Sequence, residues 1–201
     1  MILSNKEKSL LLSYSNITGI DEVGRGPVAG PVVIASYTIS KQSKMISGVE
    51  DSKKLTSAKR EAIYQSLIDN AEDYNIIQIS NTIIDSKGIV YAISQGISKC
   101  IKNTKTDFIL IDGIFKEKFN FGTPYQTIIK GDAINYCIAA ASIIAKVWRD
   151  KLMEKLSIKY PGYDLENNKG YGTAKHIQGI KNLGLSKIHR REFVNTLLKN
   201  K

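Results

Sequence analysis

The chain has 201 residues, the size of one domain or of one domain with a small appendage. Apolar residues make up 42% of it and prolines number four, so a hydrophobic core is expected, with disorder only at the ends, 1–8 and 197–201. No apolar run approaches the roughly 20 residues of a membrane span, and the first residues lack the pattern of a signal peptide.

Basic residues outnumber acidic ones by 29 to 19, which gives a formal charge of +10. This excess favours a polyanionic partner such as nucleic acid, although a solvated basic surface gives the same count. Cys100 and Cys137 form no CxxC pair, and His176 and His189 lie apart in the sequence. A structural disulfide or a zinc site is therefore not expected, and the chain is expected to work in the reducing cytoplasm.

Hydrophobic periodicity predicts the elements in chain order. Strands at 16–22 and 31–39 are joined by a Gly/Pro-rich turn, which predicts an antiparallel hairpin. The elements that follow are a helix at 57–72, a strand at 75–80, a helix at 83–101, strands at 107–112 and 124–132, a long helix at 133–157, and short helices at 174–183 and about 190–199. Strands followed by alternating helices and strands indicate a mixed sheet with helices on its faces.

Several single residues are assigned within these elements. Thr173 caps the first short C-terminal helix and Gly184 ends it. The apolar stripes of the two longer helices include Val90 and Ile134, and the interior is also expected to hold Cys100, Cys137 and Trp148.

Acidic residues end three of the predicted strands. Asp21 and Glu22 end the first, Asp112 ends the strand at 107–112, and Asp132 ends the strand at 124–132. If these ends share one edge of the sheet, the carboxylates meet there, and each close pair repels by up to ~4 kcal/mol at an effective dielectric of 20. Protonation relieves this repulsion by raising the pKa of a carboxyl group, and divalent cations relieve it further.

Hard oxygen ligands suit Mg²⁺ or Mn²⁺, and two such ions about 3.5–4 Å apart form a clamp used for phosphodiester hydrolysis. Each acid also has a purely structural alternative, because a single Asp after a strand is more often a turn residue or a helix cap. Asp132, directly before the long helix, is well placed as such a cap.

Six segments of the chain resemble the signature blocks of type II ribonuclease H in order and spacing. They are GIDEVGRGPVAGPVV, DSKKLT, LIDG, GDAINYCIAAASIIAKVWRD, YPGYDLENNKGYGTAKH and GLSKIHRREF. The resemblance implies an α/β fold, a ribonuclease H-like mixed five-stranded sheet flanked by helices, with a small helical C-terminal extension. A single catalytic domain is expected over 1–201, with a core at about 16–157 and a substrate-binding extension at about 158–201.

The resemblance also implies an activity. An endoribonuclease of this type hydrolyses the RNA strand of RNA–DNA hybrids and incises duplex DNA 5′ to single embedded ribonucleotides, using two ions of Mg²⁺ or Mn²⁺. The products carry 3′-hydroxyl and 5′-phosphate ends. The expected partner is nucleic acid, and the expected oligomeric state is a monomer. The type II assignment, rather than type III, rests on Asp at the fourth acidic position and on the short segment before the first acid.

Four acids match the catalytic and metal-binding positions of the family: Asp21, Glu22, Asp112 and Asp132. Asp150 belongs to the same sequence block as Asp132. On one continuous helix the two would lie ~27 Å apart at 1.5 Å per residue, so both cannot serve one site. The predicted strand end favours Asp132.

The resemblance assigns substrate binding to Gly24, Arg25, Gly26, Lys53 and Tyr171. The Gly-Arg-Gly segment is expected to approach the ribose 2′-hydroxyl, with Arg25 able to hold a phosphate, whereas a hairpin turn that needs glycine explains the same letters. Tyr171 is expected to stack on the deoxyribose after the RNA–DNA junction; the alternative is an ordinary half-buried loop tyrosine.

Several other basic residues are weaker candidates for phosphate contacts. Lys54 accompanies Lys53, while a solvated charged face is the default interpretation of Lys146, Lys169 and Lys175. The sequence His189-Arg190-Arg191 predicts either a patch that binds the nucleic-acid backbone or simple helix-end charge.

Overall fold

The structure is a computed structural model that describes residues 2–50, 52, 55–114 and 120–199. Lys53 and Lys54 therefore lie outside the described residues. In the part of the chain that is described, no helix is long and apolar enough to cross a membrane.

A five-stranded sheet with the order β3-β2-β1-β4-β5 forms the centre of the molecule. Its strands are β1 (Asn16–Val23), β2 (Val32–Ser40), β3 (Asp73–Ile79), β4 (Phe108–Asp112) and β5 (Tyr125–Ile128). β2 is antiparallel to both β1 and β3, whereas β4 is parallel to β1 and to β5. The predicted hairpin and the predicted mixed sheet are thus confirmed.

Helices cover both faces of this sheet. They are α1 (Asn5–Ser13), α2 (Ser57–Asn70), α3 (Asn81–Lys87), α4 (Ile89–Lys102), α5 (Gly131–Ile134), α6 (Tyr136–Lys159), α7 (Leu165–Asn168), α8 (Ala174–Leu183) and α9 (Arg191–Lys199). Alternate residues of β2 point to opposite faces. Val33 and Ala35 pack with the buried residues of α6, and Val32 and Ile34 pack with those of α4. The sheet is therefore buried on both sides, and functional groups reach solvent at its edges.

The N-terminal segment is ordered, so the prediction of disorder at 1–8 is wrong for the helical residues. Ser4 caps α1, and its hydroxyl and the Glu7 carboxylate form a reciprocal capping box. Glu7 is fully buried and also accepts a hydrogen bond from the backbone N–H of Cys137 at 2.9 Å. This carboxylate fastens α1 to the start of α6. At the other end α9 extends to Lys199, so residues 197–199 are helical as well.

The predicted helix at 83–101 is two helices. Gly88 adopts a φ of 84° between α3 and α4, a conformation that glycine tolerates and that interrupts the hydrogen-bond ladder. The break changes the helical phase, so Val90 is 58% exposed instead of packed on the core. Ile93, Ile97 and Ile101 remain buried as expected.

The prediction for residues 124–157 is wrong in its boundaries. β5 ends at Ile128, and Lys130 then adopts a left-handed conformation with φ 54° that turns the chain into the short helix α5. Asp132 therefore lies in α5 and does not end a strand. α6 begins only at Tyr136, and Ile134, predicted on its apolar stripe, is exposed.

The C-terminal helices follow the prediction more closely. The Thr173 hydroxyl accepts from the N–H of His176 at the start of α8, and Gly184 ends that helix with φ 75°. These helices share a hydrophobic cluster with the second half of α6, and this cluster includes Met153, Tyr163 and Val194. The short helix α7 escaped prediction because its four residues are too few to show a period.

Candidate active site

Two carboxylates from remote parts of the chain meet because β1 and β4 are parallel neighbours. Ile20 pairs with Ile111 in the register of these strands, and Asp21 and Asp112 are the next residue of each strand. Neighbouring strands lie about 4.8 Å apart, and residues at equal register point to the same face. The pairing alone therefore places Asp21 beside Asp112, 91 residues later in the chain.

A cavity of about 400 Å³ opens at this edge of the sheet. The predicted residues that line it are Asp21, Glu22, Asp112, Gly24, Arg25, Gly26 and Tyr171. The fold thus brings seven of the nine predicted site residues around one space. Of the other two, Lys53 lies outside the described residues and Asp132 is not among the lining residues.

The electrostatics of Asp21 are those of a crowded, buried acid. Burial raises the pKa of its carboxyl well above the usual range, and the negative charges of Glu22 and Asp112 raise it further. Hydrogen bonds from Ser142 and from the N–H of Glu22, at 2.7 Å to Oδ1, oppose this rise only in part. The protonated form of Asp21 is therefore favoured, and a cation bound nearby would favour the ionised form instead.

Glu22 is the second carboxyl of the cavity and has a cationic partner. Its pKa is raised mainly by burial, while Arg25 lowers it and Asp112 raises it. Arg25 Nη1 donates to Glu22 Oε1 at 2.8 Å, and the Arg25 side chain is more than half exposed. A cation bound to Glu22 would compete with this ion pair.

Asp112 joins the cavity to α5. Its Oδ1 accepts a hydrogen bond from the N–H of Gly131 at 2.6 Å, and Asp132, the next residue, is buried. Asp150 lies elsewhere: it pairs with Lys146 at 2.7 Å and lines a different cavity between α2 and α6. Asp132 is thus one residue from the group that binds Asp112, although a helix rather than a strand end holds it there.

The two glycines of the Gly-Arg-Gly turn meet different constraints. Gly24 has φ 103°, and a Cβ there would lie 2.5 Å from Arg149 Nε and 2.9 Å from the carbonyl oxygen of Pro31. A Cβ at Gly26 would meet only Tyr171 Cε1, at an ordinary 3.8 Å. Backbone strain and packing therefore explain Gly24, whereas neither of them explains Gly26.

Comparison with known proteins identifies the family. The family model for ribonuclease HII matches residues 18–196. A ribonuclease HII of Clostridium beijerinckii is 44% identical over 191 residues, covering 92% of this chain and 70% of that protein. A ribonuclease HII of Chlamydia trachomatis serovar D is 44% identical over 183 residues, and the match covers 90% of this chain and 82% of that protein. The chain belongs to the ribonuclease HII family.

The fold of a solved relative agrees with this assignment. The crystal structure of ribonuclease H2 from Pyrococcus horikoshii has a TM-score of 0.76 and 28% sequence identity, and the match covers 92% of this chain and 98% of that one. The predicted ribonuclease H-like fold is confirmed, and the chain is a ribonuclease H enzyme, an endonuclease that acts on nucleic acid.

Sequence reasoning missed two polar residues of this ribonuclease HII site. Ser52 and Ser142 line the cavity, and their hydroxyls lie 3.0 Å apart. Lys146, a weaker candidate whose default interpretation was a solvated charge, also lines the cavity. The helical spacing of Ser142 and Lys146, four residues apart on α6, was the available signal, but nothing in the sequence marks which face of α6 meets the acids.

The predicted phosphate-binding patch at 189–191 is wrong for two of its three residues. His189 and Arg190 are buried, and of the three only Arg191 is exposed. His189 Nδ1 accepts from the N–H of Ser186, so its Nε2 donates to His176 Nε2 at 3.1 Å, and His176 Nδ1 donates to the carbonyl of Tyr171 at 2.9 Å. Burial and then His176 lower the pKa of His189 to about 4. The neutral histidine pair therefore supports the backbone of Tyr171.

The other residues singled out in the sequence differ in exposure. Lys169 is engaged by Glu154 at 2.6 Å, whereas Lys175 is exposed. Cys100 and Cys137 are fully buried as predicted, and Trp148 packs against the core while remaining partly exposed.

The donor chemistry of the cavity fits hard divalent cations, because carboxylate oxygens are the ligands that such ions prefer. Within the described ranges, no group of three or more His, Cys, Asp or Glu side chains is arranged as a formed metal site. The carboxylates of Asp21, Glu22 and Asp112 share one cavity.

Replacing Asp21 by Asn is expected to stabilise the metal-free protein. The amide keeps the hydrogen bond from the N–H of Glu22 and removes the buried charge. Because the pKa of Asp21 is raised in the folded state, its destabilising effect is full above that pKa and vanishes as the pH falls towards the ordinary carboxyl range. With EDTA at pH 8, the melting temperature should rise by about 2–4 °C per kcal/mol of stability gained by removing this buried charge.

The control for this measurement is Asp150→Asn, which removes an acid that has a lysine partner and should bring no such gain. Thermal melts of both variants at pH 8 and pH 4.5 separate the cases. An equal or lower melting temperature of Asp21→Asn at pH 8 would contradict a destabilising charge at Asp21.

Proposed function

We propose that this ribonuclease HII cleaves the RNA strand of RNA–DNA hybrids and incises duplex DNA 5′ to single embedded ribonucleotides, by a two-metal-ion mechanism. The observation that carries the proposal is one cavity lined both by the carboxylates of Asp21, Glu22 and Asp112 and by the Gly-Arg-Gly turn with Tyr171. A group for hydrolysis and a group for recognition of the sugar therefore face the same space.

The residues proposed to hold the cations are Asp21, Glu22, Asp112 and Asp132. Divalent cations are typical of the family, and two ions of Mg²⁺ or Mn²⁺ would activate a water and stabilise the leaving 3′ oxygen, giving 3′-hydroxyl and 5′-phosphate ends. The negative charge of Asp112 adds to the effect of burial in raising the pKa of both Asp21 and Glu22, and it supports this assignment because clustered carboxylates attract cations.

Arg25 has two roles in this proposal. It pairs with Glu22 when no cation is bound, and it becomes available to a phosphate when a cation takes its place beside Glu22. A guanidinium ion matches phosphate geometry with paired hydrogen bonds. Binding of metal and binding of substrate would thereby be coupled through one side chain.

Recognition of the ribose is assigned to the Gly-Arg-Gly turn and to Tyr171. Nothing in the packing demands glycine at 26, so the space in front of it is available to a sugar. Tyr171 is 47% exposed and its ring contacts this space. A flat ring packs on a deoxyribose that carries no 2′-hydroxyl, and this contact would distinguish the nucleotide after the junction.

The wider assignments are part of the same proposal. Residues 158–201 are proposed as a substrate-binding extension of a single catalytic domain, supported by the position of Tyr171 in that segment beside the cavity. The formal charge of +10 supports contact with the nucleic-acid backbone, where Lys53 is a proposed ligand of phosphate. The monomeric state and the cytoplasmic setting stay predictions.

Removing a metal ligand should abolish cleavage and leave binding of the hybrid intact. Asp21→Asn and Asp132→Asn are each expected to lower metal-dependent cleavage of a labelled RNA–DNA hybrid by about 10³-fold or more, since lost stabilisation of several kcal/mol in the transition state has that size. Electrophoretic mobility shifts should show hybrid affinity that is unchanged or higher, because a negative charge facing the phosphates is gone.

Asp150→Asn is the matched control, since Asp150 is the other acid of the same sequence block and lies in a different cavity. Its cleavage rate should stay within a few-fold of the original protein. Full activity of Asp132→Asn together with loss of activity in Asp150→Asn would reverse the assignment of the fourth ligand.

Tyr171→Ala should impair incision at a single ribonucleotide more than cleavage of a long hybrid. Stacking of a ring on a nucleotide is worth about 1–3 kcal/mol, so kcat/KM on the single-ribonucleotide duplex should fall about tenfold or more. A long hybrid offers RNA on both sides of the cut and should depend less on this contact. Tyr171→Phe, which keeps the ring, should behave like the original protein; equal losses on both substrates would contradict the sensing of a junction.

The two glycines should separate folding from recognition. Gly24→Ala is expected to destabilise the protein by about 1–3 kcal/mol, because φ 103° is strained for alanine and its Cβ meets Arg149. Gly26→Ala should leave the urea unfolding midpoint nearly unchanged while raising KM for the single-ribonucleotide duplex. If Gly26→Ala leaves KM for the single-ribonucleotide duplex unchanged, the space in front of Gly26 does not hold the sugar.

A further inference from the structure

Two fully buried arginines, Arg149 on α6 and Arg190 at the start of α9, are the largest side chains with no solvent exposure. Among the described residues, neither forms an ion pair with a carboxylate. Burying a charge without a partner of opposite charge is costly, and two such cations also repel each other. Their burial is therefore to be explained by the hydrogen bonds that they form.

Both guanidinium groups are satisfied by backbone carbonyls of the loop that follows the acids. Arg190 donates to the carbonyls of Gly24, Arg25 and Gly30 at 2.8–3.0 Å. Arg149 donates to those of Ala29 and Pro31 at 3.1 and 3.0 Å, and to that of Lys169 at 2.8 Å. Only arginine presents several donors in a rigid, planar fork, so lysine cannot reproduce these contacts.

These contacts join two segments that are about 140 residues apart in sequence. Arg149 connects the loop 24–31 to Lys169, and the N–H groups of Val28 and Ala29 donate to the carbonyl of Gly170 at 2.8 and 3.2 Å. A third segment joins these two, because the carbonyl of Ile188 accepts a hydrogen bond from the N–H of Gly30 at 2.9 Å. The turn at 24–26 and the loop that carries Tyr171 are therefore held as one unit.

We infer that Arg149 and Arg190 are positioning residues that set the Gly24–Gly26 turn at a fixed distance from Tyr171, and so determine selectivity for an RNA–DNA junction. The inference rests on the proposed function, in which the turn contacts the ribose and Tyr171 the following deoxyribose. Neither arginine reaches the substrate, because both are fully buried. They act through the carbonyls they bind, and the carboxylates of the cavity are outside this set of contacts.

The test compares Arg190→Lys and Arg149→Lys with the original protein on two substrates, a duplex with one ribonucleotide and a long RNA–DNA hybrid. Each variant should lose about tenfold in kcat/KM on the single-ribonucleotide duplex, mainly through KM, and no more than about threefold on the hybrid. The double variant should lose much less than the product of the single losses, because both arginines hold the same loop.

Ile97→Val is the matched control for general destabilisation. Ile97 is buried among the residues of α4, and the shorter side chain lowers stability without touching the loop. It should leave the ratio of the two kcat/KM values unchanged. An equal change of that ratio in Ile97→Val, or an unchanged ratio in both arginine variants, would overturn the inference.

Hydrogen–deuterium exchange tests the positioning without any cleavage assay. In Arg190→Lys, exchange should accelerate in peptides covering 24–31 and 168–172 and stay unchanged in β4, and thermal stabilisation by added Mn²⁺ should be retained. Unchanged exchange in both loops would refute the positioning role. If the original protein does not incise the single-ribonucleotide duplex, the proposed function fails, whereas the exchange result still decides whether the arginines fix the loops.

Discussion

Repulsion between carboxylates at the shared end of β1 and β4 is the constraint on which the site depends. Parallel pairing carries Asp21 and Asp112 to the same register, and the adjacent Glu22 adds a third carboxylate to the same cavity. Such a cluster costs stability in the metal-free protein, and it has a use only where cations bind. Burial is the main cause of the raised pKa of Asp21, and the negative charges of Glu22 and Asp112 raise it further.

The structure places cationic groups of two different kinds around this cluster. Arg25 and Lys146 line the cavity and can neutralise charge or meet a phosphate. Arg149 and Arg190 are buried beneath the neighbouring loop, and in the described part of the chain neither forms an ion pair with a carboxylate; both donate to backbone carbonyl groups. The first kind serves chemistry at the cavity, and the second serves the shape of the loop that borders it. The formal charge of the chain makes no distinction between them.

Local rules predicted most of the regular elements. Alternation of apolar residues and the turn letters located β1, β2 and their hairpin, and the caps Thr173 and Gly184 located α8. The errors occurred where one residue with a positive φ redirects the chain, as at Gly88 within the predicted helix and at Lys130 after β5. A single backbone torsion leaves no trace in hydrophobic periodicity, so these boundaries could not be found from the sequence.

The sequence by itself determined the family, the fold class and the acids that end β1 and β4, because motifs and apolar periods are local properties of a chain. Only the tertiary structure decided that Asp132 lies in a short helix whose Gly131 N–H binds Asp112, that Ser142 and Lys146 line the cavity of the acids, and that His189 and Arg190 are interior groups. The physical reason is that burial and hydrogen-bond partners depend on tertiary contacts, such as those that join Arg190 to Gly24, 166 positions away. The sequence does not distinguish an arginine in solvent from an arginine whose donors bind three carbonyl groups, because those partners are brought together only by folding.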